Sequence, residues 1–205
     1  MFLTLFAAAA AGAIPTASTP VGWVIGSSRA PKSLVEYGSL NCGHCAAFSN
    51  MASPTVMAAV RAGRLRFEYR PFLVFPHDVA ATLVARCVAT PRRFSFVEEY
   101  YRNGATYNER MKAADSAALE AARAKGDAAF NRTVVAITGM KTLAARFGLT
   151  GAAVDRCVSD PKGLAWVETA FKKAQAAGVT GTPTFFLNGK RTQFGSLDEV
   201  TTALK

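Results

Sequence analysis

The residues of this sequence best suited to covalent or metal chemistry are its 4 cysteines and 2 histidines. Two of the cysteines and one histidine stand together in Cys42-Gly43-His44-Cys45. A bare C-X-X-C says little, but this one follows a strand-like run, Ser33 to Gly38, and opens a run of helical composition, Cys42 to Ala62, a context that points to redox chemistry. A thiol at a helix N-terminus faces unpaired backbone N–H groups and about half a positive charge, which favour its thiolate. His44, as a cation or as a donor, adds to the same effect. Because the thiolate is the species that attacks a disulfide, Cys42 is the expected nucleophile, and Cys45, one turn deeper, the resolving thiol. A stabilised thiolate also favours the reduced pair, so a Cys42-Cys45 disulfide is an oxidant that is readily passed on.

Other reactive groups lie elsewhere in the chain. Glu36 lies six residues before Cys42 in what reads as a central strand, where both faces should be apolar, so a carboxylate there needs a partner or a task. A solvated glutamate on an edge is the bland alternative. Cys87 shares a helical face with Ala80, Leu83 and Val84, and Cys157 shares an apolar stripe with Val154 and Val158 behind Thr150, a candidate N-cap. Four cysteines allow three pairings, and only the one joining Cys87 to Cys157 leaves the redox pair intact. A bridge across that span would stabilise by about 4 kcal/mol in the chain-entropy model. Two buried free thiols remain the alternative. A zinc site drawing on Cys42, His44, Cys45 and His77 lacks a second half, and no metal is expected. A hydrolase built on His77-Asp78 is disfavoured too, since His77 reads as capping or flanking a helix from Asp78 to Ala89.

The elements that must position these groups follow from pattern. Gly22 to Ile25 and Ser33 to Gly38 read as strands around a turn with Pro31, and Leu65 to Phe75 as a further buried strand. Asn41 is the expected N-cap of the helix that starts at Cys42, with a kink expected at Pro54. From Pro76 to about Gln175 only helical signals appear. Strand signals return at Thr182 to Leu187, and Asn188-Gly189 is a two-residue hairpin turn leading to Lys190 to Phe194. Ser196-Leu197-Asp198-Glu199 is a capping box that opens a last helix. The aromatic run Phe94, Phe96, Tyr100, Tyr101 reads as helix core, with part of a substrate groove as the alternative.

Composition sets outer bounds. Half the residues are hydrophobic and 19% charged, which excludes disorder. A formal charge of +10 suits anionic partners. The basic positions Arg61, Arg64, Arg66, Arg70 and Arg92-Arg93 do not interleave with exposed aromatics, so nucleic acid is not an expected partner. Met1 to Ile14 is an apolar run ending in Ala11-Gly12-Ala13, which reads as a signal peptide without the usual basic n-region. Residues 1–20 are assigned to the leader and its linker. Export would place the cysteines where disulfides persist.

Leu34-Val35-Glu36-Tyr37 running into Cys42-Gly43-His44-Cys45, together with Gly178-Val179-Thr180-Gly181-Thr182-Pro183-Thr184-Phe185-Phe186, resembles the DsbA-like thioredoxin-fold disulfide oxidoreductases of bacteria. The resemblance implies an α/β thioredoxin fold, a mixed central sheet flanked by helices, formed by residues 21–75 and 176–205 and interrupted by an all-helical domain at 76–175. It implies a cis Thr182-Pro183 bond shaping the docking face, with Thr182 offering backbone to an extended substrate. It also implies a proton-relay role for Glu36, and a second bridge at Cys87-Cys157 as in some α-proteobacterial members. The expected activity is donation of the Cys42-Cys45 disulfide to reduced or unfolded exported proteins in the periplasm, without a cofactor. Reoxidation would come from a quinone-linked membrane protein of the DsbB type. Gly43 departs from the Pro-His dipeptide common among oxidases and resembles protein disulfide isomerases, which keeps isomerase or reductase action as an alternative. A non-redox chaperone for unfolded chains is a second alternative. Residues 15 to 32 leave no room for a dimerising module, which favours an oxidase acting as a monomer.

Overall fold

The computed structural model describes residues 13–205. The apolar run before Ala13 lies outside them. Nine helices, one short 3-10 turn at Thr90–Arg92 and six strands are assigned among the described residues. The strands are β1 (Thr16–Ser18), β2 (Trp23–Ile25), β3 (Lys32–Gly38), β4 (Leu65–Pro71), β5 (Thr184–Leu187) and β6 (Lys190–Thr192). They form one sheet in the order β1-β2-β4-β3-β5-β6. Only β3 and β4 run parallel, joined by the long helix α1 (Gly43–Arg61). The other neighbours are antiparallel, so the sheet is mixed, as expected.

Alternation along β3 decides which face each residue sees. Leu34 belongs to the core cluster that also holds Cys45, Phe48 and Tyr101, whereas Tyr37 faces the smaller cluster with Phe72, Ala174 and Val179. The first cluster lies beneath α1 and α3 (Arg93–Lys112), and the second beneath α8 (Pro161–Ala176), where Phe171 meets Phe72 at 5.0 Å between ring centroids. Glu36 is two residues on from Leu34 and shares its face.

Between β4 and β5 the chain is helical throughout: α2 (Asp78–Cys87), α3, α4 (Ser116–Ala124), α5 (Asp127–Thr138), α6 (Lys141–Arg146), α7 (Gly151–Cys157) and α8. The chain closes with α9 (Leu197–Leu204). Its N-cap Ser196 accepts from the Glu199 N–H, while the Glu199 carboxylate accepts from Gly195 N–H, one residue earlier than a reciprocal capping box requires. Asn188 and Gly189 both take positive φ, 50° and 78°, as the hairpin demands.

Several expectations are corrected. β4 stops at Pro71 instead of running to Phe75: after the Phe72 N–H bonds to Gly38, the Val74 and Phe75 N–H groups turn to the Asp78 carboxylate. Proline supplies no ladder donor there. The helix expected over Cys42 to Ala62 is borne out as α1, which runs through Pro54 to Arg61. Residues 15–20, read as leader and linker, include the edge strand β1. This segment has no apolar alternation to betray it; it is held by tertiary bonds from Arg93 to Ser18, from the Trp166 indole to Thr19 and from the Thr19 hydroxyl to Glu68. Phe94, Phe96, Tyr100 and Tyr101 are all buried, as a helix core requires, and of the four Phe94 also lines a surface cleft. Two of the basic residues are structural: Arg93 donates to the Ala85, Arg86 and Val88 carbonyls at the end of α2, and Arg70 pairs with Glu68 and Tyr37.

Candidate active site

The strand β3 delivers the chain to a short buried loop, Ser39-Leu40-Asn41, and Cys42 takes the N-cap position of α1 with extended backbone, φ −83° and ψ 121°. Asn41, the expected cap, does not cap. Its side chain is buried and bonded elsewhere, to Asp78 and Tyr100. Cys42 is thus the residue whose sulfur stands at the open N–H groups of the first turn. Gly43 and His44 are exposed, and a side chain at Gly43 would meet no neighbour within 4 Å. Cys45 is fully buried.

Both thiols of the pair are free and lie against each other. The Cys42 thiol is held down from an ordinary 9.0 to about 5. The leading cause is the hydrogen bond from Cys45; burial opposes it, and the Thr182 side chain and the backbone N–H groups of Cys45 and His44 reinforce it. What reaches Cys42 from His44 is therefore its main chain, while the ring points into solvent. Cys45 is driven the other way, far above the usual thiol range, because it donates to Cys42, is buried, and faces the negative charge of Glu36. The arrangement separates one readily ionised outer sulfur from one inner sulfur that holds its proton tightly.

The second sequence motif meets the first in space. Thr182-Pro183 is a cis peptide, and the Thr182 carbonyl oxygen lies 3.6 Å from the Cys42 sulfur, which in its thiol form donates to it. The loop is braced by the Thr184 hydroxyl, which donates to the Gly181 carbonyl at 2.7 Å.

Glu36 is 3% exposed, and its Oε1 has no hydrogen-bond partner among the described residues. Burial, followed by the nearby Cys42 charge, pushes its carboxyl up to about 8. The edge-strand alternative is thereby excluded. A Cβ at Gly38 would stand 2.7 Å from the Tyr69 ring, 3.0 Å from the Tyr101 oxygen and 3.1 Å from the Glu36 Oε1, so only glycine fits over this acid. Glu36 lines an internal cavity of about 30 Å³, room for a water molecule. Ser49, Ser53 and Glu98 line both this cavity and a surface cleft beside Arg102.

The burial of Glu36 has a measurable consequence. Between the ordinary 4.5 and about 8, the folded protein keeps a proton that the unfolded chain has lost, so this group makes stability fall as pH rises across that window. Glu36→Gln is expected to remove that slope and to stabilise the protein by about 4 kcal/mol near pH 7.5. Urea unfolding at pH 5 and pH 8 checks it; equal pH slopes in the two proteins would refute the assignment.

Away from this site, Cys87 and Cys157 form a disulfide with a Cα–Cα distance of 6.2 Å, joining the ends of α2 and α7. Both cysteines are half-buried, so they lie nearer the surface than an inward helix face implies. His77 precedes α2 without capping it; its ring stacks on Phe75 and its Nε2 meets Asn108 at 3.1 Å. No group of three or more potential metal-ligating side chains converges among the described residues. The buried carboxylate of Asp78, which sequence reasoning assigned only to a helix start, bonds directly to the loop before Cys42.

A family model described as Thioredoxin matches residues 18–205. No curated protein sequence matches the chain. Among solved structures, the protein-disulfide isomerase of Novosphingobium aromaticivorans superposes with a TM-score of 0.79 at 22% identity, covering 88% of this chain and 96% of that one. Alpha-DsbA1 of Wolbachia pipientis gives 0.72 at 19%, covering 91% and 90%. Oxidised BdbD of Bacillus subtilis gives 0.62 at 17%, covering 88% and 89%. At these identities the likeness is one of fold, a thioredoxin sheet carrying a helical insertion.

Proposed function

This chain belongs to the thioredoxin family, and from that premise we propose that it is a thiol:disulfide oxidoreductase whose Cys42-Cys45 disulfide is donated to reduced exported proteins. The observation that carries the reading is the unequal pair: an outer sulfur ionised well below neutrality beside an inner one that resists ionisation. A client thiolate attacks the Cys42 sulfur of the disulfide; the Cys42–Cys45 bond breaks, and Cys45 leaves with the electron pair. Glu36, protonated at neutral pH, hands its proton to that leaving sulfur and is recharged from the cleft through Ser49, Ser53 and Glu98. A second client thiolate then attacks its own sulfur in the mixed disulfide and releases Cys42 as the stabilised thiolate. Two electrons have passed from the client dithiol to the protein pair. Thr182 and Pro183 form the docking edge, the Thr182 main chain standing next to Cys42. Cys87-Cys157 is a structural bridge, and residues 76–175 act as an inserted helical domain.

A periplasmic location agrees with the apolar start of the sequence; no helix of the described residues is long and apolar enough to cross a membrane. A quinone-linked membrane protein of the DsbB type is the proposed reoxidant. Isomerase action is the second reading, favoured by the Gly43-His44 dipeptide and by the name of the Novosphingobium structure. The equilibrium of the pair against glutathione separates the two, an oxidase lying on the oxidising side.

The chemistry itself is tested with Cys45→Ala carrying glutathione on Cys42 as a mixed disulfide. Given a reduced unfolded client with a single cysteine, this variant is expected to accumulate a covalent Cys42–client adduct on a non-reducing gel, with glutathione as leaving group, whereas in the oxidised wild type Cys45 attacks Cys42 in the mixed disulfide and releases the client. Absence of the adduct would remove Cys42 as the attacked sulfur.

A further inference from the structure

Asp78 opens α2 with a carboxylate that is 1% exposed, and no lysine, arginine or histidine stands within ion-pair distance of it among the described residues. Its partners are neutral donors from two loops. The Ser39 hydroxyl lies 2.8 and 2.9 Å from its two oxygens, and the Asn41 side-chain amide and backbone N–H lie 2.8 and 3.3 Å from Oδ1. The Val74 and Phe75 N–H groups donate to Oδ2 at 2.7 and 2.8 Å. Hydrogen bonds to an ionised acceptor are the strong kind, and each donor here would be left buried and unpaired without it.

Ser39 and Asn41 belong to the loop that delivers both sulfurs. The Ser39 carbonyl accepts the Cys42 N–H at 3.1 Å, so the residue that the Asp78 carboxylate holds in turn holds the main chain at the N-cap of α1. Asn41 runs directly into Cys42. In either direction of exchange the Cys42–Cys45 bond forms or breaks, so the placing of Cys42 against Cys45 bears on the rate.

We propose that Asp78 is a positioning residue for thiol:disulfide exchange, fastening Ser39 and Asn41 to the helical insertion so that the main chain entering α1 holds the Cys42 sulfur in line for attack by Cys45. The proposal rests on the exchange reading of the site. In the step concerned, the Cys45 thiolate attacks the Cys42 sulfur of a mixed disulfide; the ring disulfide forms and the other partner leaves as thiolate.

The test follows closure of the Cys42–glutathione mixed disulfide by Cys45 in single-turnover mixing. Asp78→Asn keeps the shape and places a donor among donors; it is expected to slow closure about tenfold. In a Cys45→Ala background, where only Cys42 reacts, the same substitution should change the rate with glutathione disulfide less than about twofold. A residue that merely supports the fold would lower the melting temperature and leave the ratio of these two rates unaltered, and an unaltered ratio overturns the proposal. Should Asp78→Asn fail to fold, Ser39→Ala, which removes one donor and leaves the main chain, carries the same test with an expected slowing of about threefold; wild-type closure speed in that variant would also overturn it. Failure of the wild-type protein to close the ring at all would instead sink the exchange reading.

Discussion

Cys42→Ser is expected to reduce disulfide transfer to the uncatalysed level, since a hydroxyl neither ionises near neutrality nor forms the mixed disulfide. The same sulfur governs the pH behaviour of the wild type. Its reaction with iodoacetamide should rise through a midpoint near pH 5 and then run flat to pH 8, following the ionisation of Cys42. Its folded pKa lies below the unfolded value of 9.0, so the reduced protein gains stability from this group as pH rises from about 5 towards 9, where the unfolded thiol ionises as well. That gain is lost as pH falls through about 5. The disulfide form has no such thiolate, so the preference for the reduced state, and with it the oxidising power of the pair, grows over the same window. A midpoint near 9 in the alkylation profile would show that the helix terminus and the Cys45 hydrogen bond do not hold the thiolate, and the oxidant reading would fall with them.

Removing the other bridge tests a separate property. Cys87→Ala combined with Cys157→Ala is expected to lower unfolding stability by about 4 kcal/mol, because the bond closes a loop across 70 residues and removes that freedom from the unfolded chain. The loop contains most of the helical insertion, from the end of α2 to the end of α7, and the variant should unfold at clearly lower urea while its Cys42 titration is unchanged. Alkylation of Cys87 and Cys157 in the unreduced protein would contradict the bridge directly. A double variant of wild-type stability would show instead that the helices pack well enough to make the crosslink redundant.

How much of this was legible in the chain varies by residue. The strand into Cys42, the helix behind it, the Asn188-Gly189 hairpin and the helical run after Pro76 all follow from local rules: period, turn chemistry and capping. Those rules misassigned Asn41, whose composition suits a cap, because its side chain has stronger buried partners in Asp78 and Tyr100. They ran β4 too far because the apolar residues Phe72, Leu73, Val74 and Phe75 continue past Pro71, while the backbone donors of Val74 and Phe75 belong to another segment. They also missed β1, three small residues whose strand state depends on β2, Arg93 and Trp166.

The sequence alone determined the reactive dithiol and its position at a helix start, because the atoms involved are neighbours along the chain and their spacing is covalent fact. Tertiary structure alone decided that Thr182, 140 residues away, stands against Cys42, that Glu36 is sealed in the core beneath Gly38, and that Asp78 anchors the loop before the cysteines. Each of these contacts depends on sheet register and on which helix covers which face, and both are settled by packing the whole chain around one core.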